Sequence, residues 1–326
     1  FHNRNSGKLG IFKYLKFKYL TNFPLMISKD KITEIFCSID EFCKVFEPAF
    51  QKKLISDGKK QRNRAFRMSQ SEILTITVLF HMSGYRTFKH FYLHFVKEHL
   101  RSEFPVTVSY NRFTELMQSN MLPLVLYMKT CCLGKCTGIS FVDSTPLRVC
   151  KNKRINANKV FKDIANVGRS TMGWFYGFKL HIVINDKGEL LDFVITQANE
   201  DDRAPLKEGK VLKKIFGSLY ADKGYISKDL LEMLFDQGLH LVTGIRNNMK
   251  NMLMDMRDKI LLRKRSVIET INDQLKNICQ AEHSRHRSFG NFLTNLVASL
   301  IAYSFQEKKP GIKFETENTS QLTLFY

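Results

Sequence analysis

The spacing of the apolar residues changes from helical to strand-like near Gly138, and this change most constrains the fold. Residues 139–143 form a short apolar run that ends in an acid, and residues 178–184 alternate between apolar and polar. A turn at 185–188 leads into a third strand pattern, so these segments predict a hairpin. Beyond it the pattern predicts strands at 218–221 and 240–244 and helices at 203–216, 227–237, 255–278 and 291–305. This order predicts an α/β domain with a mixed sheet.

The residues before Gly138 have the spacing of a series of helices. We predict helices from Ile32 to about Phe46, from Ser69 or Ser71 to Gly84, over 87–100, and over 110–118 behind a Ser109 cap. A chain of 326 residues accommodates about two domains. We therefore divide it into a helical region at 26–136, an α/β domain at 137–306 and a polar tail at 307–326.

Short helices joined by tight turns can form a helix-turn-helix, in which the helix after Ser109 would read DNA. A small helical domain that touches no DNA is the alternative. The first 25 residues are a basic extension without any acid. They are either translated sequence upstream of a native start at Met26 or a basic arm.

The chain has 51 Lys and Arg residues against 31 Asp and Glu residues, which gives a formal charge of +20. This excess favours nucleic acid as the partner, with anionic membranes and acidic proteins as alternatives. Two stretches concentrate the charge, a connector at 52–67 and a loop at 151–169. No apolar run approaches the roughly 20 residues of a membrane span, so we expect no membrane partner.

The seven cysteines are odd in number and contain no CxxC pair. Free thiols in a reducing compartment fit this pattern, and we expect a cytoplasmic protein. A zinc site at Cys131, Cys132 and Cys136 is disfavoured, because no second pair of Cys or His residues follows at finger spacing.

Three acids are candidates for chemistry. Asp143 and Asp222 each close a predicted short strand, where active-site residues of α/β sheets tend to lie. Glu269 lies on the predicted long helix, and at 100° per residue Arg265 and Lys276 fall on its face, opposite the apolar side. The alternatives are turn-forming aspartates and a solvated helix face with an Arg265–Glu269 pair.

Three segments together resemble the DDE transposases of bacterial insertion sequences. They are Phe141-Val142-Asp143-Ser144-Thr145, Ala221-Asp222-Lys223-Gly224-Tyr225, and Arg265 followed by Glu269 and Lys276. The last spacing is similar to the signature helix of the insertion-sequence 4-like branch. The segments 173–181, 199–203 and 283–288 resemble the insertion-sequence 982 family most closely. The resemblance covers Met26 to about Lys309, with one departure, since Leu262 stands where the signature has a Tyr.

The resemblance implies a ribonuclease-H-like catalytic domain with a mixed sheet, preceded by a small all-helical domain that binds DNA. It implies that Asp143, Asp222 and Glu269 are catalytic and hold two Mg²⁺ ions, for which Mn²⁺ can substitute. The expected reaction is cleavage of double-stranded DNA at the terminal inverted repeats, followed by strand transfer into target DNA. Two ends must meet, so a homodimer or larger assembly on bacterial nucleoid DNA is expected.

The same resemblance gives the basic residues a role in DNA binding. Arg265 and Lys276 would hold the DNA backbone beside the metal ions. Further contacts are expected from Lys151, Lys153, Arg154 and Lys159 and from Arg285 and Arg287. Two other functions stay open: a non-catalytic DNA-binding relic or regulator, and a metal-dependent nuclease of the same fold without strand transfer.

Overall fold

The computed structural model describes residues 27–56, 67–209, 211–246, 249, 253–282 and 286–313, with side chains omitted at 54–56. The basic extension at 1–25, Met26, most of the connector at 52–67 and the end of the polar tail lie outside the described residues. Within the described part, no helix is long and apolar enough to cross a membrane.

The chain begins with a group of helices, as the apolar spacing predicts. They are α1 (Lys29–Ser56), α2 (Gln70–Met82), α3 (Phe88–His90, continued by a π-helix at Phe91–His99), α4 (Tyr110–Ser119) and α5 (Met121–Cys131). Ser69 caps α2 in a capping box, because its hydroxyl accepts from the Glu72 amide while the Glu72 carboxylate accepts from the Ser69 amide. Ser109 likewise accepts from the Arg112 amide at 3.3 Å and caps α4.

A six-stranded mixed sheet follows. Its strands are β1 (Ile139–Cys150), β2 (Asn166–Ser170), β3 (Gly173–Asn185), β4 (Leu190–Gln197), β5 (Gly217–Ala221) and β6 (Leu239–Thr243). The hydrogen-bonded order is β2-β3-β1-β5-β6, and β4 pairs with β3 beside β2. Strand β3 pairs antiparallel with β1, β2 and β4, whereas β5 pairs in parallel with β1 and β6. This topology is ribonuclease-H-like.

Five α-helices complete the described part of the chain. They are α6 (Ala204–Lys207), α7 (Lys228–Asp236), α8 (Met256–Lys264), α9 (Ser266–Asp273) and α10 (Phe289–Ser304). A π-helix at Gln274–Ile278 extends α9. The helix predicted over 203–216 is wrong for most of its length, because only Ala204–Lys207 is helical. The helix predicted over 255–278 is interrupted at Arg265, where the Arg265 amide bonds three residues back to the Leu262 carbonyl.

The sheet is also larger than the sequence pattern predicts. β2 lies in what was predicted to be a loop, since Gly168 and Arg169 carry no apolar alternation. β1 continues seven residues beyond Asp143, so Asp143 lies within a strand and does not close one. Pro146 and Arg148 break the apolar pattern there, although the backbone stays paired with β3.

Helix α10 lies against the N-terminal helices α2, α4 and α5. Its side chains from Leu296 to Tyr303 are almost all fully buried. They share one hydrophobic core with Ile35 and Ile39 of α1 and with the face of the sheet that carries Phe141 and Ile182. A second cluster lies on the opposite face of the sheet, around Val183, Leu219 and Leu230. The division at residue 136 stays a prediction.

Candidate active site

Two of the three predicted acids lie side by side on adjacent parallel strands. The register of β1 with β5 runs from Ile139 opposite Ser218 to Phe141 opposite Tyr220. Extending this register by two residues places Asp143 beside Asp222, which directly follows β5. Asp222 begins a 3₁₀ turn at Lys223–Tyr225, and its side chain is 59% exposed. The pair therefore lies where β5 ends and β1 continues.

The third acid comes from the helix that packs over this part of the sheet. Glu269 lies in the first turn of α9, and its side chain is 58% exposed. Ile268 and Ile271 on the same helix are fully buried in the core. The amphipathic pattern of α9 thus fixes the helix on the sheet and leaves Glu269 at the open side.

Arg265 joins the acids electrostatically. Its Nη2 donates to Glu269 Oε1 at 3.0 Å and lies 3.9 Å from Asp222 Oδ1. The Arg265 side chain is only 18% exposed, so this cation is held inside the site. The Arg265–Glu269 ion pair of the solvated-face alternative does form, but Arg265 also approaches Asp222 at the end of β5.

Asp143 is the most buried of the three acids. Burial raises its pKa to about 6, and the nearby carboxylates of Glu269 and Asp222 raise it as well. The Arg265 guanidinium and the Ser144 amide act in the opposite direction. Because Glu269 and Asp222 act on the same carboxyl group, all three acids share one electrostatic site.

Asn272 holds the Asp143 carboxylate in place, and the sequence analysis missed it. Its Nδ2 donates to Asp143 Oδ2 at 3.0 Å, while its own Oδ1 is buried without a protein partner. Asn272 follows Glu269 by three residues, which puts both on one face of α9. That spacing is the signal by which sequence reasoning could have found it.

Lys276 is partly buried, as Arg265 is, with 21% of its side chain exposed. Burial lowers its pKa, while Glu282 and Asp143 raise it. Its Nζ is 3.9 Å from Glu282 Oε2, and the other oxygen of Glu282 accepts from the Arg148 amide at 2.8 Å. Lys276 therefore interacts with Asp143 as well as with Glu282, and the π-helical turns around it change the simple 100° spacing that places it beside Glu269.

Tyr225 is a second group that the sequence analysis did not select. Its side chain is buried in the core on the other face of the sheet. Burial and the neighbouring acids Asp143, Asp202 and Asp222 raise its pKa well above the ordinary value. The Tyr225 hydroxyl therefore stays neutral near these acids.

The remaining predicted DNA contacts lie at the surface. Lys151, Lys153, Arg154 and Lys159 are all exposed and follow the end of β1. Arg287 is exposed just before α10, whereas Arg285 lies outside the described residues. The helix predicted to read DNA, α4, buries Phe113, Leu116 and Met117 and exposes polar residues on its other side.

This arrangement of acids on a ribonuclease-H-like sheet agrees with a family comparison. Residues 133–289 match the family model of the transposase DDE domain. The matched segment contains Asp143, Asp222 and Glu269 as well as Arg265 and Lys276. A comparison with curated proteins gave no match. Residues 133–289 are therefore similar to a transposase DDE domain, a type of domain that depends on divalent metal ions for its enzymatic activity on DNA.

The acids of the transposase DDE domain do not form a closed ligand set in this structure. Among the described residues, no three Asp, Glu, His or Cys side chains are close enough together to hold an ion. Leu262, at the position of the signature Tyr, is half-buried against the core and contributes no hydroxyl group.

Proposed function

We propose that this protein is the transposase of a bacterial insertion sequence of the 982 family. It binds the terminal inverted repeats of its own element, cleaves the DNA there and transfers the ends to a target. One observation carries the proposal: a strand, a strand end and a helix bring three carboxylates to one site around Arg265, within the segment that matches the DDE domain.

Asp143, Asp222 and Glu269 fit two Mg²⁺ ions, or Mn²⁺ in their place. All three offer hard carboxylate oxygens, and two of them are more than half exposed. Burial, and to a smaller extent the neighbouring acids Glu269 and Asp222, raise the pKa of Asp143, and bound divalent cations would stabilise its charged form. When bound, two such ions stabilise the charge on the attacking and leaving oxygens of a phosphodiester.

The surrounding side chains have distinct roles in this proposal. Asn272 fixes the orientation of Asp143 through its 3.0 Å hydrogen bond. Arg265 partly neutralises Asp222 and Glu269 while no metal is bound, and it then binds a phosphate oxygen of the DNA. Lys276, on the Asp143 side, binds the backbone of the same strand.

Binding of the duplex further from the site is assigned to exposed cations. Lys151, Lys153, Arg154 and Lys159 follow β1, and Arg287 precedes α10. Such contacts position DNA without reading its sequence, so we assign sequence recognition to the helical region at 26–136. Two DNA ends have to be brought together, and we propose a dimer or a larger assembly on DNA.

The test is cleavage of DNA that carries the end of the element. Short inverted repeats on either side of the gene define this substrate. We expect Mg²⁺-dependent nicking at the repeat by the unmodified protein and loss of nicking in Asp143→Asn, Asp222→Asn and Glu269→Gln. DNA binding of these variants, measured by anisotropy in EDTA, serves as the control for folding.

Three results would contradict parts of the proposal. Full activity of one variant removes that acid from the catalytic set. Cleavage without any joined product, when target DNA is supplied, favours the nuclease alternative. DNA binding without cleavage in either Mg²⁺ or Mn²⁺ favours the regulator.

A further inference from the structure

The hairpin formed by β2 and β3 exposes an unusual combination of side chains. At its tip Met172 is 82% exposed, and Trp174 is 61% exposed. Arg169 lies opposite Trp174 in the strand register, with its guanidinium carbon 5.9 Å from the ring centre. Directly opposed residues of an antiparallel pair share a face, so the cation and the aromatic ring lie on the same side of the hairpin.

The hairpin is held firmly at its base. A Cβ atom added to Gly168 would lie 2.0 Å from the Ala198 carbonyl oxygen. Only a glycine at this position therefore allows β2 to lie so close to the end of β4. Asn166 Nδ2 also donates to Gln197 Oε1 at 2.8 Å. The exposed tip is therefore presented by a fixed ribbon.

Positive charge surrounds this tip. Asn152 Nδ2 donates to the Trp174 carbonyl at 2.9 Å, and this bond brings the turn with Lys151, Lys153 and Arg154 beside the hairpin. From residue 151 to residue 174 the chain has six Lys or Arg residues, and Asp163 is its only acid. The charge of the surface is thus complementary to a phosphate backbone.

The tip also lies on the catalytic face of the sheet. Asp143 is opposite Ile182 in the register, and Ile182 follows Trp174 by eight residues along β3. Because side chains alternate along a strand, an even separation puts Trp174 on the face that carries Asp143. The separation along the strand is about 27 Å, or about eight base pairs of B-DNA.

We propose that this surface, consisting of Arg169, Met172, Trp174 and the cations at 151–154, binds single-stranded DNA next to the cleaved end. The ring of Trp174 stacks on an unpaired base. The choice of unpaired DNA follows from the chemistry, since a duplex hides the faces of its bases, whereas aromatic rings set among cations bind the exposed bases of single strands. The inference rests on the proposed function for the source of the DNA.

Trp174 is the only tryptophan of the chain, so the intrinsic fluorescence of the whole protein reports on this residue alone. The full chain is titrated in EDTA with three DNAs of related sequence: a single strand, a blunt duplex and a duplex with a single-stranded overhang. Binding is followed in parallel by anisotropy of labelled DNA. We expect the single strand and the overhang to quench the emission, and the blunt duplex to bind without quenching.

Variants separate stacking from charge. Trp174→Ala should bind the overhang DNA about ten-fold more weakly, the size expected for one lost stacked base, with little change for the blunt duplex. Trp174→Phe keeps a ring and should retain most of the affinity. Lys153→Gln should weaken binding of all three DNAs alike. The matched control is Phe235→Ala, which removes an aromatic side chain that is 69% exposed on α7 and outside this surface.

Unchanged emission on binding single-stranded DNA overturns the proposal, and so does equal quenching by the blunt duplex. Failure here is distinct from failure of the proposed function. If the protein cleaves the ends of its element while single-stranded DNA leaves the Trp174 fluorescence unchanged, only the hairpin proposal fails. If unpaired DNA quenches Trp174 but no divalent metal supports cleavage, only the proposed function fails.

Discussion

Replacing Asp143 by Asn should stabilise the folded protein in the absence of metal. The folded-state pKa of Asp143 is about 6, against an ordinary value of 3.8. A raised carboxyl pKa means that the folded state binds the proton more tightly than the unfolded state does. The carboxyl therefore contributes most stability when protonated, and this contribution is lost as the pH rises from 3.8 through 6.

The difference of about two pH units corresponds to about 3 kcal/mol, since each unit is worth about 1.4 kcal/mol. Asn has nearly the same shape without the charge, and its carbonyl oxygen can still accept the bond from Asn272. At pH 8 in EDTA the Asp143→Asn variant should therefore unfold at a higher urea concentration, by up to about 3 kcal/mol in free energy. At pH 5 the wild-type carboxyl is largely protonated, and about half of the difference should disappear.

The assay is urea unfolding followed by circular dichroism at the two pH values. The control is Asp222→Asn at the same site, where the side chain is more than half exposed and the expected change is below about 1 kcal/mol. Added Mg²⁺ should stabilise the wild type and reduce the advantage of the variant. A variant that is equal or less stable at pH 8 would refute the view that burial of this charge destabilises the fold.

Three further predictions concern other parts of the molecule. Arg265→Gln removes the cation that lowers the Asp143 pKa, so the acidic limb of the cleavage–pH profile should move to higher pH, and an unshifted profile would contradict this. The same variant should release about one counterion fewer on binding DNA, measured as a smaller dependence of the affinity on salt concentration. Ser69→Ala breaks the capping box of α2 and should cost about 1 kcal/mol in urea unfolding, whereas Ser102→Ala, outside any helix cap, should cost little. Burial lowers the pKa of His81 to about 4, so the folded state favours neutral His81 and loses stability as the pH falls from 6.5 towards 4. His81→Gln should therefore reduce the slope of stability against pH by up to about 1.4 kcal/mol per pH unit in that range, and an unaltered slope would count against it.

The sequence predicted the α/β class, the helical region and the three acids because each depends on local pattern or on motif spacing. Asp143 was expected to close a strand, since an acid after an apolar run is typical of a strand end. The pairing of β1 with β3 extends the strand past it, through Pro146 and Arg148, and such pairing is a property of two segments together. No pattern within residues 143–150 alone carries that information.

The contacts of the site were less accessible from the sequence. The break at Arg265 directs its guanidinium towards both Glu269 and Asp222, whereas an ideal helix predicts only the first contact. The hydrogen bond from Asn272 to Asp143 depends on how α9 packs on the sheet. The helix expected over 203–216 failed for a similar reason, because Val211 and Leu212 are buried in the core on the second face of the sheet without helical geometry.

The position of α10 among the N-terminal helices has a consequence for how the protein is made. Leu296, Leu300 and Tyr303 fill the core that α1, α2 and α5 share, so these early helices cannot complete their packing until almost the whole chain has left the ribosome. A chain that ends before Phe289 should therefore lack a fully packed helical region. Packing of the N-terminal helices is coupled in this way to synthesis of the segment that carries Asp143, Asp222 and Glu269.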